Sequence, residues 1–233
     1  HSLEKLFRKM QDSGKDRFPA KAEFIADFEW YMRRHRESFT KEQFDRRLEY
    51  GQEVLSNYYE KYIGSFNKIV AIERNIRNVV IGNVPLKGKL DKLEFDGKSV
   101  NVVDYKTGDP DKAIPKTKGP SEKEPNGGDY WRQAVFYKIL VDHYEQKDWK
   151  AVSTEFDFIE PDKKKNYRKE KLVISPADIT TVVQQIRSTW EKIRNREFYI
   201  GCGKEDCHWC NFVKTNKLAV ALHELETEEE TEP

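Results

Sequence analysis

The chain has 233 residues, 37% of them hydrophobic and 36% charged, with a formal net charge of +1. A chain of that length can bury a sizeable core, and so many charges must coat its surface. Near neutrality removes any argument for nucleic-acid binding from composition alone, no apolar run reaches the ~20 residues a membrane-crossing helix needs, and three cysteines confined to positions 202–210 argue against a disulfide scaffold and for a reducing, cytoplasmic setting.

In chain order, the first forty-three residues carry aromatic and aliphatic positions among charges (LFRKM, AEFIADFEWYMRRH) and read as a helical entry region that needs a partner surface. They open without a signal-peptide pattern. From Phe44, the positions Leu48, Gly51, Leu55, Tyr58 and Tyr62 recur at helical spacing and predict an amphipathic helix. Strand-like segments follow near 68–82, 86–95 and 98–106, the last rich in valine as a buried central strand should be. A long loop rich in proline and glycine runs from Gly108 to Gly128, carries Lys112, Lys116 and Lys118, and reads as a flap. Asp129 opens a helix to about Gln146, two further strands (AVSTEFDFIEP and KEKLVIS) form a hairpin, and Ser175-Pro176 with Asp178 starts a helix to about Arg196. Strands grouped in hairpins among helices predict an α/β fold with a central mixed sheet flanked by helices. Residues 213–233 read as a C-terminal helix and an acidic tail, ELETEEETEP, that is partly disordered.

The chemistry concentrates in the second and third strands, KGKLDKLEF and SVNVVDYKTG. Asp96-Gly97 suits a two-residue hairpin turn. Centred there, paired residue numbers sum to 193, which sets Asp91 opposite Val102 and diagonal to Asp104. Side chains alternate along a strand, so Asp91, Asp104 and Lys106 share one face. Two carboxylates at that spacing can share a divalent cation, and an ammonium two residues on can stand beside a metal-bound water or a developing oxyanion. That is equipment for hydrolysing a phosphodiester. Asp104 inside a valine-rich strand has little structural reason to exist, because a buried unpaired carboxylate costs several kcal/mol. Glu73, in IVAIERN, reads as an exposed strand charge. PDKKKNYRKEK (161–171) forms a cationic hairpin tip whose Lys163, Lys164, Lys165 and Arg168 are candidates for phosphate contacts.

In order, GKLD, VVDYKTG and a helix bearing Gln133 and Tyr137 (WRQAVFYKIL) resemble the PD-(D/E)xK nuclease superfamily, most closely the RecB-like domains of UvrD/Rep-type helicases, over residues 44–212. The resemblance implies a restriction-endonuclease-like core and Mg²⁺ or Mn²⁺ on Asp91, Asp104 and the Tyr105 carbonyl. It implies that Lys106 assists the attacking water, with Gln133 and Tyr137 as the Q-x-x-x-Y element. It implies DNA as partner, and helicase motor domains in the same polypeptide, since no Walker A sequence occurs here. A DNA-binding module without catalysis is the alternative. The chain departs from the family pattern at Leu55, where RecB-like domains carry a metal-ligating histidine four residues after a glycine, here Gly51. Cys202, Cys207 and Cys210 resemble the C-terminal cluster of iron–sulfur members but fall one thiolate short; zinc on these three and His208 is the other reading.

Overall fold

The computed structural model describes residues 1–14, 17–197, 205 and 207–215. Contacts divide the chain into two compact units, His1–Val182 and Val183–Pro233. The first begins with three helices, α1 (Ser2–Asp12), α2 (Lys21–Arg34) and α3 (Lys41–Tyr62). Thr40 and Gln43 form a reciprocal capping box at the start of α3, which satisfies two backbone donors that a helix end leaves unpaired. Strands β1 (Val70–Ile81), β2 (Val84–Asp96) and β3 (Ser99–Lys106) follow as an antiparallel meander. A short helix α4 (Pro110–Ala113) and the longer α5 (Asp129–Asp142) carry the chain over the sheet to β4 (Lys150–Phe158), which pairs parallel to β3. The antiparallel β5 (Lys169–Leu172) completes a mixed sheet in the order β1-β2-β3-β4-β5. The α/β architecture is the one the sequence pattern predicts.

Helix α6 (Pro176–Arg194) crosses the boundary between the units, and α7 (His208–Thr215) belongs to the second. Ser175 and Asp178 cap α6 as their spacing foretells, the Ser175 hydroxyl accepting from the Asp178 amide and the Asp178 carboxylate from the Ser175 amide. Helix α5 ends at Asp142 rather than near Gln146 because Tyr144 turns inward and is buried in the core. Among the described residues no helix is long and apolar enough to cross a membrane.

Each face of the sheet has its own core. On one, Ile76, Val79, Leu90, Leu93, Val100 and Val102 pack against Tyr137, Leu140 and Val141 of α5. On the other, Leu6, Phe7 and Met10 of α1, Phe24 of α2 and Tyr58 of α3 pack with Phe66 and Ile159. Residues 1–43 therefore supply buried side chains beneath the sheet. This second core also encloses charge. Lys92 is fully buried, 2.9 Å from Glu94, with its ammonium 4.6 Å from the Phe7 ring centroid and 5.2 Å from that of Tyr105. Asp157, equally buried, accepts a 2.6 Å bond from the Tyr58 hydroxyl and lies 2.8 Å from Lys169.

The β2–β3 hairpin departs from the expected register. Asp96 pairs with Ser99 and Lys92 with Val103, so paired numbers sum to 195 rather than 193. Gly97 and Lys98 are the central residues of the turn, and only Gly97 has a positive φ, +59°, the requirement of a type II′ turn rather than the I′ turn expected at Asp96-Gly97. A change of two in the sum leaves every residue on its face. It moves the partner of Asp91 from Val102 to Asp104.

Candidate active site

Regular pairing of β2 with β3 stops at Lys92↔Val103, one step before the two aspartates. Beyond that point β3 stays bound to β4 through Lys106↔Phe158, while the Asp91 carboxylate takes over a ladder position by accepting the Tyr105 amide at 3.0 Å. Asp91 thus stands where two strands part, and Asp104, Tyr105 and Lys106 are held on a strand that is still fully paired on its other side.

Asp91 also marks a change of face. Leu90 and Leu93 both lie in the core under α5, yet Lys92 points among Phe7 and Phe66 on the opposite side, so strict alternation fails between positions 90 and 92. The same exchange occurs in β1. Ile72 packs on the α1–α3 side and Ile76 on the α5 side, and between them Glu73 adopts φ +49°, a left-handed conformation uncommon outside glycine. The β1–β2 ladder skips it, passing from Ile72↔Lys92 to Arg74↔Leu90. Extending the two registers by that step sets Glu73, Asp91 and Asp104 in one row across three adjacent strands.

On the α5 side the candidate residues form one network. Asp104 is 4% exposed; its Oδ1 accepts from the Tyr137 hydroxyl at 2.7 Å and from Gln133 Nε2 at 3.2 Å. Lys106 donates to Gln133 Oε1 at 2.7 Å, and its ammonium pairs with Asp104 Oδ2 at 2.8 Å. Gln133 and Tyr137 stand one helical turn apart, and Nε2 of the first lies 2.6 Å from the hydroxyl of the second. Burial, then the negative charge of Asp104, pushes the Tyr137 phenol well above its ordinary range, so it remains a donor. The Lys106 ammonium lies 4.6 Å from the Tyr130 ring centroid and 5.4 Å from that of Phe156, apolar walls that leave the amine few directions in which to donate.

On the other side lies a cavity of about 310 Å³ lined by Asp91, Glu73, Tyr105, Thr107, His1, Glu4, Phe7 and Leu55, so Asp91 departs from the face of Asp104 and Lys106 that strict alternation predicts for it. Leu55 thus occupies the wall that the resemblance gives to histidine. Glu73, which the sequence reads as an exposed charge, is on this wall too and pairs with Lys89. Its signal in the sequence is faint, because its place in the row follows from two strand registers and a backbone exchange that no local pattern displays.

Burial raises the pKa of Asp91, the Tyr105 amide opposes the rise, and the charges of Asp104 and Glu73 add to it. Folded Asp91 therefore holds its proton more tightly than the unfolded chain does, and stability falls as pH climbs from the unfolded value, about 3.9, through the folded one. We expect Asp91→Asn to raise the melting temperature of the metal-free protein at pH 7, with the gain vanishing below about pH 3.9. A thermal scan at both pH values checks this; a lower melting temperature at pH 7 would show that the bond from Tyr105 outweighs burial.

The donor set suits a hard divalent cation. Two carboxylates, one of them destabilised by like charge, and the Tyr105 carbonyl are oxygen donors of the kind Mg²⁺ and Mn²⁺ take, and such ions keep several waters. Among the described residues no group of three or more His, Cys, Asp or Glu side chains is placed to hold a metal ion.

The cations of the β4–β5 hairpin tip take no part in this network. Lys163, Lys164 and Lys165 are exposed on a turn that the Asp162 carboxylate holds by accepting the amides of Lys164 and Asn166. Arg168 is drawn to Glu170 at 2.8 Å and stands 3.9 Å from Asp162 and 4.0 Å from Asp111. Cys202 and residues 216–233 lie outside the described residues; Cys207, His208 and Cys210 lie at the start of α7.

A family model described as the PD-(D/E)XK nuclease superfamily matches residues 2–215. Two solved structures are similar. A protein of Eubacterium rectale that bears an exonuclease designation is 12% identical, with 83% of this chain and 74% of that one covered, at a TM-score of 0.45. The crystal structure of SSO0001 is 13% identical, with 87% of this chain and 92% of that one covered, at a TM-score of 0.32. Scores this low carry no functional argument. No curated protein matches the chain.

Proposed function

This chain belongs to the PD-(D/E)XK nuclease superfamily, and we propose that it is a metal-dependent nuclease domain that hydrolyses DNA phosphodiester bonds. The observation that carries the proposal is the meeting of Asp104, Lys106, Gln133 and Tyr137 within hydrogen-bond reach, with Asp91 fastened to the amide of Tyr105 beside them.

Asp91, Asp104 and the Tyr105 carbonyl are the residues to hold Mg²⁺ or Mn²⁺, with Glu73 on the adjoining wall. When bound, the ion supplies Lewis acidity toward the phosphoryl oxygens and a water of lowered pKa. The protein's part is positioning. Gln133 and Tyr137 fix one oxygen of Asp104, and Gln133 Oε1 also restrains the Lys106 ammonium. So restrained, Lys106 can orient the attacking water or donate toward charge developing on the phosphate. Preorganised donors of this kind need no rearrangement as the reaction proceeds.

Within the superfamily we assign the domain to the RecB-like group, joined to helicase motor domains in one polypeptide and acting in cytoplasmic DNA repair or recombination. The motif set, DYKTG with Q-x-x-x-Y, supports that placement. Leu55 favours a second reading, a DNA-binding module of the same fold that guides a strand without cutting. Incubation with single- and double-stranded DNA in Mg²⁺ or Mn²⁺, beside Asp104→Asn, decides between them: metal-dependent cutting lost in the variant supports the nuclease, and binding without cutting supports the module.

Leu55→His offers a gain-of-function check. The new imidazole faces the cavity that Asp91 lines, and we expect Mn²⁺ to bind about tenfold more tightly, as read by calorimetry. Unchanged affinity in a variant with the parent's melting temperature would place the ion elsewhere.

A further inference from the structure

The segment between β3 and α5 contains a lysine whose placement the nuclease motifs do not explain. Its backbone is pinned to the first turn of α5. The Gly128 amide donates to the Lys118 carbonyl at 2.9 Å, and a Cβ added at Gly128 would lie 2.1 Å from the carbonyl oxygen of Lys116 and 2.7 Å from its Cα. Gly119 and Gly127 lie close against the Trp131 ring on the same turn. Lys116 is therefore fixed beside Tyr130, with its ammonium 5.7 Å from the ring centroid that the Lys106 ammonium approaches to 4.6 Å.

These two cations differ in their company. Lys106 has Asp104 at 2.8 Å, whereas Lys116 is exposed and has no acid within ion-pair distance among the described residues. A loop held by backbone contact thus brings an unpaired positive charge to the ring that already borders the proposed catalytic lysine. An exposed ammonium beside that ring, with no acid of its own to pair with, attracts an anion that approaches the site.

We propose that Lys116 is a substrate-gripping residue that contacts the phosphate next to the one being cleaved, so that the site favours a polyanionic strand over an isolated phosphodiester. The inference rests on the nuclease reading and adds to it the residue that grips the strand beside the scissile phosphate. A neutral side chain of similar length separates this role from mere packing on Tyr130.

The test compares the parent with Lys116→Met, Lys116→Arg and Gly128→Ala in Mn²⁺, on a labelled single-stranded oligodeoxynucleotide over a range of KCl concentrations. Thymidine 5′-monophosphate p-nitrophenyl ester serves as the substrate with one phosphodiester. We expect Lys116→Met to raise KM for the oligonucleotide about 5–10-fold with kcat within about twofold, and to lower the salt slope by about 0.7. Arginine should restore both, Gly128→Ala should mimic the loss by displacing the loop, and turnover of the nitrophenyl ester should not change. An unaltered KM and slope in Lys116→Met, with the parent cutting, overturns the role of Lys116 and spares the nuclease reading. If the parent does not cut, oligonucleotide binding in Ca²⁺ still decides: a slope reduced by about 0.7 supports Lys116 as a phosphate contact while cleavage fails, and an unchanged slope or no binding overturns it.

Discussion

Asp104→Asn is expected to abolish metal-dependent cleavage, by a factor of at least about 10³, or ~4 kcal/mol of transition-state stabilisation. The amide keeps the size of the carboxylate and can still accept from the Tyr137 hydroxyl, so the network with Gln133 survives in outline. What it loses is the charge that draws a divalent ion and neutralises Lys106 at 2.8 Å. The rate of oligonucleotide cutting in Mn²⁺ reads the effect, and a melting temperature near that of the parent shows that the fold is intact. Asp104→Ala is the poorer probe, because it also leaves buried donors without an acceptor, a defect worth about 1–3 kcal/mol in stability alone. A full rate in Asp104→Asn would remove the aspartate from the mechanism.

The largest expected effect on stability belongs to a residue far along the chain from any motif, although it lines the cavity that Asp91 and Tyr105 share. Phe7 on α1 is fully buried, its ring 5.3 Å from those of Phe18 and Phe66, with the Lys92 ammonium 4.6 Å from its centroid. Phe7→Ala removes about 3–5 kcal/mol of packing. It also withdraws an aromatic face from a buried ammonium, a cation–π contact of the order of 2 kcal/mol where water is excluded. Chemical denaturation should show a midpoint lowered in proportion, with the slope little changed. The result bears on where the domain begins. If residues 1–43 were only an entry region, the variant would leave the sheet and its metal affinity untouched. If α1 belongs to the core beneath Tyr105, both fall together. An unshifted midpoint would return the first helix to the periphery.

The two predictions probe opposite faces of the sheet, and the faces differed in how much of them could be read in advance. The α5 face was legible because its signals are short-range. Asp104 and Lys106 sit two apart on one strand, Gln133 and Tyr137 four apart on one helix, and each spacing alone puts its pair on one side. The α1–α3 face was not, because Lys92 and Asp157 become buried, with Glu94 half-buried beside Lys92, only when helices from the first sixty residues close over them.

What the sequence determined by itself was the order of the strands and longer helices, the mixed character of the sheet and the common facing of Asp104 and Lys106. Asp91 did not keep the facing expected of it: alternation fails between Leu90 and Lys92, so Asp91 lines the cavity on the α1–α3 side while Asp104 bonds Gln133 and Tyr137 on the α5 side. Tertiary structure alone decided that the strands part at Asp91, that Glu73 joins the same row through a left-handed backbone, that Leu55 lines the cavity, and that Lys116 reaches Tyr130. Each of these depends on contacts between segments distant in the chain, and periodicity reports which way a side chain faces but not what stands opposite it.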